Sequence, residues 1–335
     1  MQQSTIMKKN IFFLFLLFKI IEVQSQVAKS RAVTLMGSRF DITIVAKDET
    51  TASAYIDSSI IEITRIENLI SDWIPESQVS KINKNAGIQP VKVDKELLDL
   101  TQRALHFSEL TNGAFDISFA AAERIWKFDG SMKQVPSADE VRESVKKIGY
   151  KNIIVNYQDS TIFLKFPGMK IGFGATGKGY AADKTKELMI SKGVQAGIIN
   201  ASGDLNTWGK QPDESDWIIG ITNPMENEDL FALFELSGTA VVTSGNYEKY
   251  IMLNGKRYSH IIDPRTGYPS AGVSSVTVFA DSAETANGFS TAIMVLGKKA
   301  GLKLLKKNPH LQGIIIDDKG KIFYSKKFKI KEYKP

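Results

Sequence analysis

From Ile153 to Ala280 the chain is a succession of short β-type runs bounded by turn residues and broken by a single helix-length stretch. No other feature limits the possible folds as strongly. The spacing predicts strands at 153–157, 161–166, 196–201, 216–221, 230–236, 240–244, 248–253 and 273–280. An alternating run over Val33 to Ala46 adds an early strand, and Asp318 to Gly320 reads as the tip of a closing hairpin. Helical spacing marks 51–70, where Ala52, Ile56, Ile60, Ile63 and Ile66 fall on one face, and also 97–110, 180–192 and 283–296. Strand runs joined by hairpins and separated by single helices imply an α+β fold with much antiparallel sheet. Between these elements, Ser71 to Lys84 reads as a loop broken by Pro75, and Asp129 to Lys147 as a charged linker.

The first residues have the layout of a secretory signal: Lys8 and Lys9, then an apolar run from Ile11 to Ile21, then small or polar residues around Ser25. Residues 1–25 are therefore expected to be a signal peptide, with 26–335 exported as one domain. The alternative is an uncleaved segment that keeps the protein at the membrane, although the run is short against the roughly 20 residues a spanning helix needs. The chain has no cysteine, which removes disulfides, a thiolate nucleophile and a lipidation site. Without residues 1–25 there are 40 basic and 36 acidic residues, too mild an excess for a nucleic-acid partner but suited to a small acidic ligand. The lysine-rich stretch from Lys319 to Lys334 alternates with Phe328 and Ile330, a pattern that suits an exposed edge strand better than a membrane-binding tail.

Gly172-Phe-Gly174-Ala-Thr-Gly177 has the GxGxxG spacing and lies between an expected strand and an expected helix, the context a dinucleotide fold requires. The acidic residue about 20 positions further on is missing, since Asp204 comes too late. With Lys178 the same residues spell GxxxxGK, but Gly179 stands where a P-loop needs Ser or Thr for magnesium. What remains is the physical chemistry of backbone N–H groups at a helix start beside a lysine, which favours a phosphate.

Four separated segments share one pattern: Ser71-Asp-Trp-Ile-Pro-Glu-Ser77 leading to Asn83; Gly113-Ala-Phe-Asp116; the loop Gly174 to Asp183; and Thr243-Ser-Gly-Asn-Tyr247 with His260-Ile-Ile-Asp-Pro-Arg-Thr-Gly267. Met36-Gly37, Ser202-Gly203-Asp204 and Ala286-Asn-Gly-Phe-Ser-Thr-Ala292 extend it across nearly the whole chain after the N-terminal segment. In this the chain resembles the ApbE family of flavin transferases. The resemblance implies a T-fold-related α+β fold, bound FAD, Mg2+, and transfer of FMN to a threonine of another exported, periplasmic protein. Such an acceptor would be a subunit of a membrane redox complex or an exported flavin reductase.

By the same resemblance, Trp73 lies against the isoalloxazine ring, and Met36, Ala114, Phe115 and Asp116 line the flavin site. Lys178 neutralises the pyrophosphate, and Ile262 touches the adenine side. His260 is the base for the incoming hydroxyl, with Asp204 beside it in the catalytic group. Ser244 and Arg265 stand next to the site. The metal ligands fall on Asn287 and Thr291, an i,i+4 pair, and on the main-chain carbonyl of Ala175. Asn287 departs from the family, where an aspartate is expected, and the amide removes a full negative charge from a magnesium ligand. Gly172 replaces an aspartate, Gly177 an alanine, and Ser202 the first of two glycines. Two other readings therefore stay open beside transfer: hydrolysis of the FAD pyrophosphate, and FAD binding without chemistry.

Overall fold

The computed structural model describes residues 26–225, 229–247 and 249–333; the expected signal peptide at 1–25 lies outside them. The chain opens with a hairpin of β1 (Val27–Leu35) and β2 (Ser38–Ala46), then α1 (Glu49–Ile70), α2 (Gln78–Lys84), β3 (Val91–Lys92) and α3 (Lys95–Leu110). Next come α4 (Ala138–Ser144), β4 (Ile153–Asn156), β5 (Thr161–Leu164), α5 (Gly177–Ser191), β6 (Ala196–Ala201) and β7 (Asp204–Trp208). A mostly β segment follows: β8 (Trp217–Thr222), β9 (Leu230–Leu236), β10 (Ala240–Gly245), β11 (Tyr250–Leu253), β12 (Lys256–Ser259) and β13 (Val273–Ala280). Then α6 (Ala283–Lys307), β14 (Gln312–Asp317), β15 (Ile322–Tyr324) and β16 (Glu332–Tyr333) end the fold.

Eight strands form one antiparallel sheet in the order β1-β2-β6-β7-β10-β13-β14-β15. The period of two divides its side chains between two cores. Val242, Val276 and Val278 point to the side covered by α1, α5 and α6, whereas Val241, Phe279 and Ile314 join Leu205, Ile221 and Phe234 under a second sheet. That second sheet has the order β16-β9-β8, and a third small sheet is β3-β5-β4. The α+β class with largely antiparallel sheet is thus the observed one. Among the described residues no helix is long and apolar enough to cross a membrane.

Four local expectations need correction. The run Val33 to Ala46 is two strands, reversed at Met36-Gly37. Both residues have positive φ, 50° and 67°, and Leu35 pairs with Ser38, as in a two-residue hairpin turn. Within the expected loop 71–84, Ser77 accepts from the Ser80 N–H and starts α2. The supposed linker 129–147 contains α4, opened by a capping box of Ser137 and Glu140, and Val141 packs there with Trp126. Finally, the strand expected at 240–244 runs one residue further, through Gly245, as β10.

The helices that carry the glycine loop and the 283–296 segment cross closely. A Cβ added at Gly179 on α5 would lie 2.6 Å from the Ala283 carbonyl oxygen at the start of α6. Gly179→Ala is therefore expected to push the helices apart and destabilise the fold by about 1–3 kcal/mol, read as a fall in the denaturant midpoint.

Candidate active site

A cleft of about 430 Å³ opens where the ends of β7 and β10, the start of α5, the middle of α6 and three loops meet. Its lining includes Trp73, Ala114, Phe115, Asp116, Ala175, Lys178, Asp204, His260, Ile262, Asn287 and Thr291. Of the residues expected to bind, catalyse or hold metal, Met36 alone lies outside it. Met36 lines an adjoining cavity of about 480 Å³ that shares Asp72, Trp73, Gly174 and Lys178 with the cleft. A chain separation of more than 200 residues is thus closed by the fold into one continuous site.

The glycine loop delivers the cationic end. No side chain caps α5, whose N-terminal residue Thr176 keeps its hydroxyl buried and without a partner. The Gly177 N–H turns back to the Phe173 carbonyl and that of Tyr180 to Thr176, which leaves the N–H groups of Lys178 and Gly179 without a backbone acceptor among the described residues. Uncapped N–H groups at a helix start attract an anion, and the Lys178 side chain adds a full charge there. Its Nζ stands 3.3 Å from the Ala201 carbonyl and 3.4 Å from the Asp204 carboxylate.

Asp204 links this end to α6. Its Oδ2 accepts from the Asn287 amide, and the Thr291 hydroxyl lies 3.4 Å from Asn287 Oδ1, one helical turn along. Asn287 is buried, and Ser290 on the same helix bonds Ser244 of β10 at 2.8 Å. The Ala175 carbonyl, also in the cleft, receives no backbone hydrogen bond among the described residues. Ala175, Asn287 and Thr291 therefore offer an all-oxygen donor set with the Asp204 charge directly behind it, which fits a small hard cation.

The opposite wall is aromatic and loop-borne. Trp73 is 71% exposed, which excludes a core role, and the Arg124 guanidinium lies 4.6 Å from its ring centroid. Phe115 is different: it is buried and meets Phe107 edge-to-face, so it supports the cleft from the core. Asp116 is committed to the backbone. Its oxygens accept from Ser118 N, Ser118 Oγ and Tyr150 N, and burial raises its pKa against the pull of those bonds.

His260 is half-buried, with Nδ1 2.9 Å from the Lys249 carbonyl. A carbonyl only accepts, so Nδ1 carries a proton, and in the neutral ring the lone pair is then on Nε2. The following turn is braced internally: Arg265 forks onto the Asp263 carboxylate at 2.8 and 2.7 Å, and the Trp126 indole donates to the Gly267 carbonyl. Ser244 lines the cleft, but Arg265 does not; the turn's contribution to the wall is Ile262 and Pro264.

Two departures from the family pattern have local explanations. A Cβ at Gly172 would lie 3.3 Å from Asp72 Oδ2, so Asp72 brings a carboxylate to the place an acidic side chain at 172 would occupy. The methyl of an alanine at Gly177 would fall 2.8 Å from Ile70 Cδ1, which already fills that space. Phe119, Arg124 and Val295 were not signalled in the sequence, and Asp72 only as a member of the 71–77 motif with no role of its own, because each belongs to the site through tertiary approach. A larger cleft of about 620 Å³, lined by Arg65, Glu96, Arg103, Tyr180 and Glu284, has its charges paired with one another.

Trp73 gives a direct test of the aromatic wall. If a flavin stacks on this wall, as the family resemblance implies, Trp73→Ala is expected to weaken FAD binding about tenfold, measured by flavin fluorescence titration.

Comparison with known proteins identifies the family. The ApbE family model matches residues 36–315. An FAD:protein FMN transferase of Klebsiella pneumoniae is 31% identical over 289 residues, covering 86% of this chain and 88% of the relative. One from Treponema pallidum is 28% identical over 306 residues, covering 86% and 84%. Among solved structures, the Thermotoga maritima ApbE protein superposes with a TM-score of 0.81 at 32% identity, covering 90% of this chain and 97% of that one. The Pseudomonas stutzeri flavinyl transferase ApbE gives 0.80 at 25%, covering 91% and 97%. The chain belongs to the ApbE family.

Proposed function

We propose that this protein transfers FMN from FAD to a threonine hydroxyl of another protein outside the cytoplasmic membrane, with release of AMP. The observation that carries the reading is the junction of Lys178, the uncapped α5 start and the Asp204–Asn287–Thr291 cluster in the same cleft as Trp73 and His260. A phosphoanhydride needs charge compensation on both sides of the reacting phosphorus, and this junction supplies it from a helix and a lysine.

FAD as substrate lies with its flavin along Trp73 and its pyrophosphate at Lys178. Ala175, Asn287 and Thr291 would hold Mg2+, which when bound would supply positive charge to neutralise the phosphates. His260 Nε2 takes the proton of the threonine hydroxyl. The threonine oxygen bonds to the flavin-side phosphorus, the bond from that phosphorus to the bridging oxygen breaks, and AMP leaves with that oxygen. Lys178 meets the charge that builds on the departing phosphate.

The test is to incubate the protein with FAD, Mg2+ and a threonine-bearing FMN-acceptor domain, and to follow AMP and acceptor mass. Acceptor mass gain with equimolar AMP supports transfer. AMP and free FMN without mass gain indicate hydrolysis, and tight FAD without AMP indicates a binding protein.

Asn287→Asp adds a readout independent of turnover. In the folded protein it would set two carboxylates where Asn287 now donates to Asp204. Without divalent cation the variant is expected to lose about 2 kcal/mol of stability. Added Mg2+ should raise its melting temperature well above the increment seen in wild type. Equal Mg2+ responses of the two proteins would remove residue 287 from the cation site.

A further inference from the structure

The sheet β16-β9-β8 treats its two edges differently. On the β9 side the C-terminal segment closes the edge: Glu332 pairs with Phe234, Tyr333 with Leu233, and Glu235 N–H donates to Lys331. On the other side β8 stays open. Among the described residues, no backbone hydrogen bond of 217–222 runs to a strand other than β9. Its sequence, Trp-Ile-Ile-Gly-Ile-Thr, has no charge and no proline, the devices that normally protect an exposed edge. The edge strand β1 of the main sheet, by contrast, carries Lys29 and Arg31.

The open edge lines a groove of about 300 Å³. Five consecutive β8 residues, Ile218 to Thr222, form one wall, and Asn200, Gly203, Leu205 and Thr243 stand opposite. Consecutive residues line a groove when its wall is the strand's backbone edge rather than one face of its side chains. Thr243 also lines the active-site cleft, and Ser202 and Asp204, on either side of Gly203, line that cleft as well. The groove therefore runs into the cleft at the end of β10 and the β6–β7 turn.

We propose that the acceptor polypeptide binds as an added strand on the β8 edge, which feeds its threonine hydroxyl into the cleft past Thr243. This rests on the transferase reading, in which the second substrate is a protein. An extended chain is the ligand whose N–H and C=O groups satisfy a row of unpaired backbone groups, with specificity left to alternate side chains. An enzyme that modifies one hydroxyl on a protein needs that hydroxyl held at a fixed distance from an anchored segment, and strand pairing fixes register residue by residue.

The test uses the full chain loaded with FAD and a synthetic peptide carrying the threonine of a protein it modifies, N-methylated at one backbone amide at a time. Strand addition predicts that alternate positions raise the acceptor KM at least tenfold while the intervening ones leave it unchanged. Uniform effects, or none, with transfer intact would overturn the proposal and leave the transferase reading standing. A second measurement needs no turnover: hydrogen exchange of the FAD-loaded protein with and without the threonine-bearing acceptor domain. Exchange at 217–222 slowed tenfold or more supports the edge as the docking site, and unchanged exchange there rejects it, whether or not FMN is transferred.

Discussion

Lys178→Met is expected to lower kcat/KM for FMN transfer by about 10²–10³-fold, on the scale seen when one preorganised stabiliser of developing charge is removed. The charge is fixed in place rather than solvated: α5 roots the side chain, and the Ala201 carbonyl and Asp204 carboxylate hold Nζ from below. Asp204 is buried, so removing the lysine also takes a cation from beside that carboxylate, which in the proposed pose would add repulsion toward the pyrophosphate. In the proposed FAD pose, affinity should fall less than the rate, because Trp73 and the α5 N–H groups would still contribute to binding. Lys178→Arg should recover part of the loss, since it restores charge without the geometry of a single ammonium. AMP release under saturating FAD is the readout, with flavin fluorescence for affinity. A Lys178→Met protein that works within tenfold of wild type would place the pyrophosphate elsewhere.

The second large effect concerns stability. Arg103 grips both oxygens of Glu284 at 2.9 and 3.0 Å, and Glu284 is 6% exposed in the first turn of α6. Burial raises the pKa of Glu284 above its ordinary value of 4.5, and Arg103 opposes that rise. Arg103→Ala leaves the buried carboxylate unpaired and should destabilise the protein by about 3 kcal/mol at pH 7. The sign with pH follows from linkage. The variant's folded state holds the Glu284 proton more tightly than the unfolded state, so stability falls as pH rises above about 4.5 and the deficit shrinks on acidification. Denaturant midpoints at pH 5 and pH 7 measure this, and Glu284→Gln added to Arg103→Ala should restore most of the loss at pH 7. A deficit that does not change with pH would mean that the arginine acts through packing alone.

The class of fold and the main helices were legible because periodicity carries them: Ala52, Ile56, Ile63 and Ile66 are buried on α1 as their spacing requires. The β1–β2 reversal was not, since methionine is a poor turn signal. Its positive φ is held from outside, by the Met36 N–H donating to the Glu67 carboxylate on α1. Motifs located the glycine loop, Asn287 and His260, because each sits in a short run whose chemistry is local. Arg124 on Trp73 and Asp72 beside Gly172 were invisible for the opposite reason: their meaning depends on a contact that exists only after folding. The β7 strand was not legible either, since the sequence reading assigns no element between the strands 196–201 and 216–221.

Asp183 on α5 accepts from the Ala283 and Glu284 N–H groups that open α6, and the Asn206 amide of β7 donates to it as well. The helix bearing Lys178 and the helix bearing Asn287 and Thr291 are thereby bolted together at one buried carboxylate. The spacing between Lys178 and the Asn287–Thr291 pair, the two centres that the proposed function assigns to the phosphates, is then set by the scaffold. The walls at 72–73, 114–124 and 260–264 are loops and a short 3-10 turn, and the Asp116 carboxylate ties its wall only to the nearby backbone of Ser118 and Tyr150, not to either helix. A lineage that exchanged those loops would inherit a reaction centre of unchanged dimensions and acquire a new clientele around it.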